Sequence, residues 1–258
     1  MEVRVLGAYA LASKDTQHTC LLIDGTLGLD SGSLASALSL EEQLRIEAVL
    51  LTHRHFDHIQ GIPTLGVATL DQHWPIDVYS LQGTLDAVHE HLLNGDVYPD
   101  MTQPLNSGPA KFRFNPVEAL VPLRVLGYQV KPIPVPHAVP TVGFIVKSDS
   151  GSCIGYTGDA GGELLPFFQD SLGVQVLFVD VTFPNRSEEL AKLTGHLTPW
   201  LLRAQLQMVL RANLPMPRIV AVHISPGHRD QVAAELSDLA AELGVDLTQA
   251  HDGMTVLV

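Results

Sequence analysis

Residues 49–61 read VLLTHRHFDHIQG. Three aliphatic residues run directly into a polar string in which His53, His55, Asp57 and His58 fall within six positions. In an extended segment, residues two apart project to the same side, so His53 and His55 can face one metal ion from a single stretch of backbone. Asp57 and His58 fall where the chain would turn into a helix, and their displaced direction suits a second, adjacent ion. Gly61 permits another stretch of backbone to approach closely. A lone histidine is more often a surface or core residue than a ligand. A whole H-x-H-x-D-H string behind a buried strand is different, because burying that many unpaired polar groups without a cation is costly.

Working outward, short β-like runs alternate with amphipathic helical stretches. Strands are predicted at Val3 to Leu6, Thr19 to Asp24, Ala48 to Leu51, Ile76 to Ser80, Gln129 to Pro134, Val142 to Ser148, Cys153 to Thr157, Val174 to Val179, Arg218 to Val222 and Met254 to Val258. Helices are predicted at Leu40 to Ile46, Leu81 to Leu93, Gly162 to Gln169, Pro199 to Asn213 and Asp230 to Leu243. The chemically interesting residues share one position in this pattern, the turn after a β run. His53 follows EAVLLT, His137 follows PIPVP, Asp159 follows CIGYTG, Asp180 ends VLFVD and His223 follows RIVAV. Loops at the carboxyl ends of strands are where α/β proteins assemble sites. Taken singly, His137 reads equally well as a turn residue, Asp159 as a helix N-cap and His223 as a buried strand-end histidine. Their shared placement sets them apart. His18, His73, His89, His91, His228 and His251 read mostly as surface or core residues; His228, near His223 in HISPGHR, is a mild exception left out of the site.

The H-x-H-x-D-H string, with PVPHAVPTVGF, YTGDAGG and AVHISPG following in order, resembles the metallo-β-lactamase superfamily along most of the chain. The resemblance implies an α/β fold, an αββα sandwich of two mixed β-sheets flanked by helices. It also implies a binuclear site: His53, His55 and His137 around one ion, Asp57, His58 and His223 around the other, and Asp159 bridging. Seven such ligands with an open position describe a catalytic rather than a closed structural site. Two divalent ions are expected, Zn²⁺ first, with Mn²⁺ and Fe²⁺ as alternatives for a histidine and carboxylate donor set.

The spacing His137-x3-Thr141-x-Gly143-Phe144 resembles the phosphodiesterase branch of that superfamily, which includes tRNase Z and class II cyclic nucleotide phosphodiesterases; glyoxalase-like thioester hydrolases carry H-T-x-G-H instead. FVDVTFPN (178–185) and GHLTP (195–199) resemble the segments that carry an acidic orienter and a catalytic histidine in that branch. Asp180 and His196 are therefore the expected pair. Where tRNase Z has glutamate in H-E-A-T, this chain has the shorter Asp180 after Val179, so reach to His196 is the point of departure. Asp57 is expected to act both as ligand and as the residue that steers the attacking hydroxide, which paired ions make available near neutral pH. His196 is expected to give the leaving alkoxide its proton.

The chain has 258 residues, 28 acidic against 15 basic, for a net charge of -13. One domain spanning 1–258 is expected, since nothing reads as a linker. The acidic balance opposes a surface built for a long polyanion, and only 22 positions separate His137 from Asp159, too few for the tRNA-grasping arm of long-armed tRNase Z. The expected partner is accordingly a small anionic phosphodiester, with neither tRNA nor other nucleic acid. The first residues, MEVRVLGAYALASKD, do not read as a signal peptide, and no apolar run approaches the ~18 residues that span a bilayer. Cys20 and Cys153, each in an apolar run, fit a reduced, cytoplasmic setting. The resemblance further implies a homodimer. The expected reaction is hydrolysis of a 3′,5′-cyclic nucleotide, cAMP or cGMP, to the 5′-nucleotide. A ribose cyclic phosphate or another small ester is the alternative, and a non-catalytic metal-bearing nucleotide-binding module a remote one. Base recognition is expected in the loop from Asn94 to Pro116.

Overall fold

The computed structural model describes residues 1–104 and 108–258. Its strands, in chain order, begin with β1 (Glu2–Gly7), β2 (Cys20–Ile23), β3 (Leu27–Leu29), β4 (Ala48–Leu50), β5 (Ile76–Ser80), β6 (Phe112–Pro116) and β7 (Leu123–Val125). They continue with β8 (Tyr128–Val135), β9 (Thr141–Lys147), β10 (Cys153–Tyr156), β11 (Val176–Asp180), β12 (Arg218–Val222), β13 (Leu247–Gln249) and β14 (Thr255–Leu257). The helices are α1 (Leu40–Gln43), α2 (Phe56–Ile59), α3 (Gly61–Ala68), α4 (Gln82–His91), α5 (Leu165–Gln169), α6 (Glu188–Thr194), α7 (Pro199–Arg211) and α8 (Arg229–Leu243).

The strands form two seven-stranded mixed sheets, ordered β14-β1-β2-β3-β4-β5-β6 and β13-β12-β11-β10-β9-β8-β7. Each sheet carries a parallel block, β3 to β6 in the first and β10 to β13 in the second. Parallel strands are covered on both faces and so read as continuous apolar runs, as VLFV in β11 does. Alternation along β4 assigns the layers. Leu50 joins Leu21, Ile23, Phe144, Tyr156 and Phe178 in the core between the sheets. Val49 and Leu51 point the other way, into a core beneath α3 and α4 with Ile62, Leu65, Leu85 and Val88. On the second sheet's outer face, Leu202, Leu206 and Val209 of α7 and Val232, Leu236 and Leu239 of α8 complete the packing. The result is the expected αββα sandwich. Among the described residues, no helix is long and apolar enough to cross a membrane.

Several elements differ from the sequence reading, for local reasons. β3, β7 and β13 are only three residues long, too short for a periodic signal. β6 closes the stretch from Asn94 to Pro116, expected as a loop; residues 105–107 of that stretch lie outside the described residues. FRFNP hides its strand character because it is an edge strand. Arg113 donates to Asp77 on β5 at 2.6 Å, and the burial pattern is mostly partial. The helix predicted from Gly162 begins only at Leu165, because Gly162 (φ 146°) and Glu163 (φ 54°) adopt backbone conformations no α-helix accepts.

The ligand-bearing loop after β4 packs on the turn after β3. Ser31 donates to the His58 carbonyl from its backbone nitrogen at 2.8 Å and from its hydroxyl at 2.9 Å. A Cβ at Gly61 would overlap the Ser31 carbonyl oxygen, so the glycine is what lets these two segments touch. Gly61→Ala is expected to cost about 1–3 kcal/mol through overpacking. A calorimetric scan showing an unchanged Tm would mean that the turn yields freely.

Candidate metal centre and active site

The turns after β4, β8, β10 and β12 meet at one end of the sandwich and bring seven side chains together. His53 and His137 each place Nε2 3.6 Å from Asp159 Oδ2, and His137 Nε2 lies 3.1 Å from His55 Nδ1. On the other side, His58 Nε2 and His223 Nε2 lie 3.1 and 3.3 Å from Asp159 Oδ1. Asp57 Oδ2 is 3.3 Å from His223 Nε2 and 3.5 Å from His58 Nε2. The two oxygens of Asp159 thus face two different groups, His53, His55 and His137 on one side and Asp57, His58 and His223 on the other. Within each group the donor atoms lie within 4.8 Å of one another. These are the two sets expected from the sequence, with Asp159 between them.

For His53, His58, His137 and His223 the opposite ring nitrogen is held from behind, which fixes those imidazoles' orientation and tautomer. His58 Nδ1–H donates to Asp30 Oδ2 at 2.7 Å. His53 Nδ1–H donates to the Thr52 hydroxyl at 2.9 Å, and that hydroxyl donates to Asp30 Oδ2 at 2.9 Å. His137 Nδ1–H donates to the Gly195 carbonyl at 2.8 Å. His223 Nδ1–H donates to the Thr182 hydroxyl at 2.8 Å, which donates to Asp180 Oδ1 at 2.7 Å. Asp30 and His223, at φ 57° and 60°, sit in the left-handed region, a strained choice for residues with side chains that the surrounding network imposes.

The donor set fits divalent cations. His53 Nε2, His58 Nε2 and Asp159 Oδ1 are buried and find no hydrogen-bond partner among the described residues. Burial pushes His53 well below its ordinary pKa, with His58 adding to the effect, and burial also lowers His55 and His137; their ring lone pairs are therefore free at neutral pH. Burial would raise Asp57, but the His223 hydrogen bond and the charge of His58 hold it well below the usual carboxylate range. For Asp159 too, burial works upward and is overcome, here by His223 and His58. His58 is the exception: burial would lower it, but the Asp159 and Asp30 carboxylates outweigh burial and hold it well above its ordinary pKa, so a cation there takes the place of its proton. Neutral imidazoles and ionised carboxylates are what a metal site requires, and binding releases such a proton. Ligands present at 100–1,000 times their dissociation constants stabilise a protein by about 3–4 kcal/mol each, and each kcal/mol moves Tm by about 2–4 °C in a chain of this size. Treatment with a chelator is expected to lower Tm by on the order of 10 °C. An identical melting curve before and after chelation would argue against cations at these residues.

Beside the second group stands His196. Its Nδ1 lies 2.7 Å from Asp180 Oδ2, so the aspartate at this position does reach its histidine. The contact works because Asp180 ends a fully buried strand, while His196 follows Gly195, whose left-handed C-cap (φ 74°) turns the chain back from α6 toward the sheet. Burial alone would lower His196, but the Asp180 carboxylate outweighs it and holds the ring up to about 9, so it carries its proton at neutral pH. Phe183 packs edge-on against it with ring centroids 5.8 Å apart, and His223 stacks on it at 5.2 Å.

With the fold and this geometry described, similarity to known proteins can be stated. Residues 19–224 match the family described as Beta-lactamase superfamily domain. This chain belongs to that superfamily. Its metallo-β-lactamase members are metal-dependent hydrolases, with phosphodiesterases among them. Ribonuclease Z of Kineococcus radiotolerans is 28% identical over 97% of this chain and 93% of its own length. Among solved structures, unliganded yeast PDE1 superposes with a TM-score of 0.78 at 18% identity, covering 100% of this chain and 99% of the other. Human tRNase Z, short form, superposes with a TM-score of 0.70 at 22% identity, covering 100% and 99%.

These relatives overturn one expectation, that neither tRNA nor other nucleic acid is a partner. A superfamily member called ribonuclease Z matches nearly the whole chain, and one called tRNase Z matches at almost full coverage of both proteins. The short interval between His137 and Asp159 therefore does not separate this chain from proteins of that name. The net charge of -13 misled as well, because it averages over the whole chain, whereas bound cations set the potential at the site locally.

Besides the Thr52 relay, sequence reasoning missed three contributors. Asp30 follows β3 and obeys the same rule as the other site residues, but a three-residue strand left no run to mark it. Thr182, two residues beyond Asp180, had no signal beyond its place in the quoted FVDVTFPN. His18, taken as a surface or core residue, lines the cavity over the site; Tyr9 pairs with both His18 and Ile224, which draws the loop before β2 to the end of β12. That cavity has a volume of about 440 Å³ and is open to solvent above Asp57, Asp159, His196 and His223.

Proposed function

We propose that this superfamily member is a two-metal phosphodiesterase that opens a small cyclic phosphodiester, with 3′,5′-cyclic nucleotides as its first substrates. The observation that carries the reading is the Asp180–His196 pair, 2.7 Å apart, with His196 lining the same cavity as His55, Asp57, Asp159 and His223. A phosphodiester expels an alkoxide that needs a proton, and a positioned histidine supplies one. The metals, held by His53, His55 and His137, by Asp57, His58 and His223, and by Asp159 between them, would supply Lewis acidity toward the phosphoryl oxygens and a hydroxide nucleophile near neutral pH. Zn²⁺ suits these donors. The chain's own residues do the rest. Asp57, partly exposed at the cavity floor, accepts a hydrogen bond from the nucleophile and aims it at phosphorus. Asp180 keeps the His196 Nδ1 proton engaged, so that Nε2 presents the transferable one. Thr182 ties His223 to the same carboxylate, and a single anchor thereby positions both the general acid and a metal ligand.

The name ribonuclease Z on the Kineococcus relative supports a second reading, cleavage of an RNA phosphodiester. The same floor and the same acid would serve it. Metal-loaded protein incubated with cAMP, cGMP, bis(p-nitrophenyl) phosphate, a precursor tRNA and a thioester separates these readings. Release of 5′-nucleotide from a cyclic nucleotide is the expected result. Cleavage of the precursor tRNA without cyclic nucleotide turnover would select the second reading, and turnover of the thioester alone would overturn both.

A further inference from the structure

The cavity above the site has a polar floor and an apolar mouth. Phe56 is 62% exposed and Leu11 61% exposed, and both line it. Phe56 is unusual in its position. It lies inside the ligand string, between His55 and Asp57, at the start of α2. A second cavity of about 620 Å³, lined by Arg54, Gly83, Ala87 and His91, also has His55 and Phe56 in its wall. The ring therefore borders open space on two sides. A large apolar side chain that covers no core stays in contact with water at a cost of ~25 cal/mol for each Å² of apolar surface. Its use is as a surface for something else. The helical start of α2 fixes its backbone a single residue away from donors of both groups, so whatever stacks on it is attached to whatever sits on the floor.

On the phosphodiesterase reading, the group on the floor is a phosphodiester and the attached group is a nucleoside. A cavity of about 440 Å³ lies within the range that holds a molecule of nucleotide size. Aromatic side chains hold bases by stacking, tolerantly of sequence, because every base presents a π-face. We propose that Phe56, with Leu11 at the same mouth, is the base-stacking residue of this site and sets its preference for nucleotides over phosphodiesters that lack a planar ring. This assignment moves base recognition from the stretch between Asn94 and Pro116 to the rim of the metal site. It also accommodates either substrate class, since a cyclic nucleotide and an RNA end both present a base beside the scissile phosphate.

The test compares adenosine 3′,5′-cyclic phosphate with the abasic ribose 3′,5′-cyclic phosphate, which differ only in the base. In Phe56→Ala and Phe56→Leu, the advantage of the nucleotide in kcat/KM is expected to fall by about 5- to 100-fold, carried by KM, while Phe56→Tyr restores it. Metal content of each variant, measured by elemental analysis, is expected to match that of the parent protein. Titration calorimetry with AMP and ribose 5-phosphate reads the same preference without turnover. If the parent protein hydrolyses neither cyclic compound, the cyclic-phosphodiester reading fails, and loss of AMP affinity in Phe56→Ala would still establish the base-stacking role. If the parent hydrolyses both and Phe56→Leu keeps the full nucleotide preference, the stacking assignment alone is overturned.

Discussion

His196→Ala is expected to lower kcat on a cyclic nucleotide by about 10²- to 10⁴-fold, the usual contribution of a positioned general acid, while sparing a diester that expels p-nitrophenolate. The difference lies in the leaving group. A ribose hydroxyl departs as a strongly basic alkoxide and gains from a proton in the transition state; p-nitrophenolate is stable enough to leave without one. His196 is suited to the former because it is largely buried, stacked on His223 and braced by Phe183, and the Asp180 carboxylate keeps its proton in place through neutral pH. Since the ring is not among the seven donors, the variant retains the whole metal set. Elemental analysis is expected to find parent metal content; the melting temperature falls, because the buried Asp180 carboxylate loses its histidine partner, but a loss of stability does not separate the two substrates. Equal losses with both substrates would remove the general-acid role and leave His196 as a packing residue.

Asp30→Ala is expected to be the most damaging single change to the fold of the site. The carboxylate is fully buried and accepts from the Thr52 backbone nitrogen at 2.7 Å, the Thr52 hydroxyl at 2.9 Å, His58 Nδ1 at 2.7 Å and the Tyr156 hydroxyl at 2.7 Å. Removing it strands four donors where water cannot replace the lost acceptor. Breaking a buried charged network in this way costs about 3–5 kcal/mol, which in a chain of this size lowers Tm by on the order of 10 °C. The damage reaches the metal donors as well. His58 loses its direct anchor and His53 loses the Thr52 relay, and partners of this kind are worth about 10- to 100-fold in metal affinity. Asp30→Asn keeps the shape and part of the acceptor capacity, so its losses are expected to be smaller on both measures. A melting temperature and a metal affinity unchanged in Asp30→Ala would show that Thr52 and His58 are placed by packing alone.

What was legible in the sequence, and what was not, follows from how far each signal extends along the chain. The αββα sandwich and the convergence of the seven candidate donors could be read because long apolar strands such as VLFV deliver them and because the H-x-H-x-D-H string is dense. The position of Asp180 was legible, but its reach was not; a side chain one methylene shorter than glutamate gives no indication of how closely the loop carrying His196 returns. Gly195 brings it back, through a left-handed turn that no periodicity foretells. Asp30 and Thr52 were hidden for a related reason. Their pairing spans 22 positions and two adjacent parallel strands, and depends on registry between β3 and β4 rather than on any local pattern. Partner class was misread because a net charge of -13 describes the chain as a whole and says nothing of the charge at one site.

The donors reach the site from both layers. His53, His55, Asp57 and His58 hang from the first sheet, and His137, Asp159 and His223 from the second. Elsewhere the layers meet mainly through apolar side chains, which resist separation without fixing lateral alignment. Coordination at this end would act as a clasp joining the two leaves of a book, with the apolar core as its spine. Amide exchange in the metal-free protein would accordingly be fastest at the clasp, in the turns around residues 52–61 and 157–162, and slowest in the central strands, so the catalytic end would also be the end from which the sandwich opens.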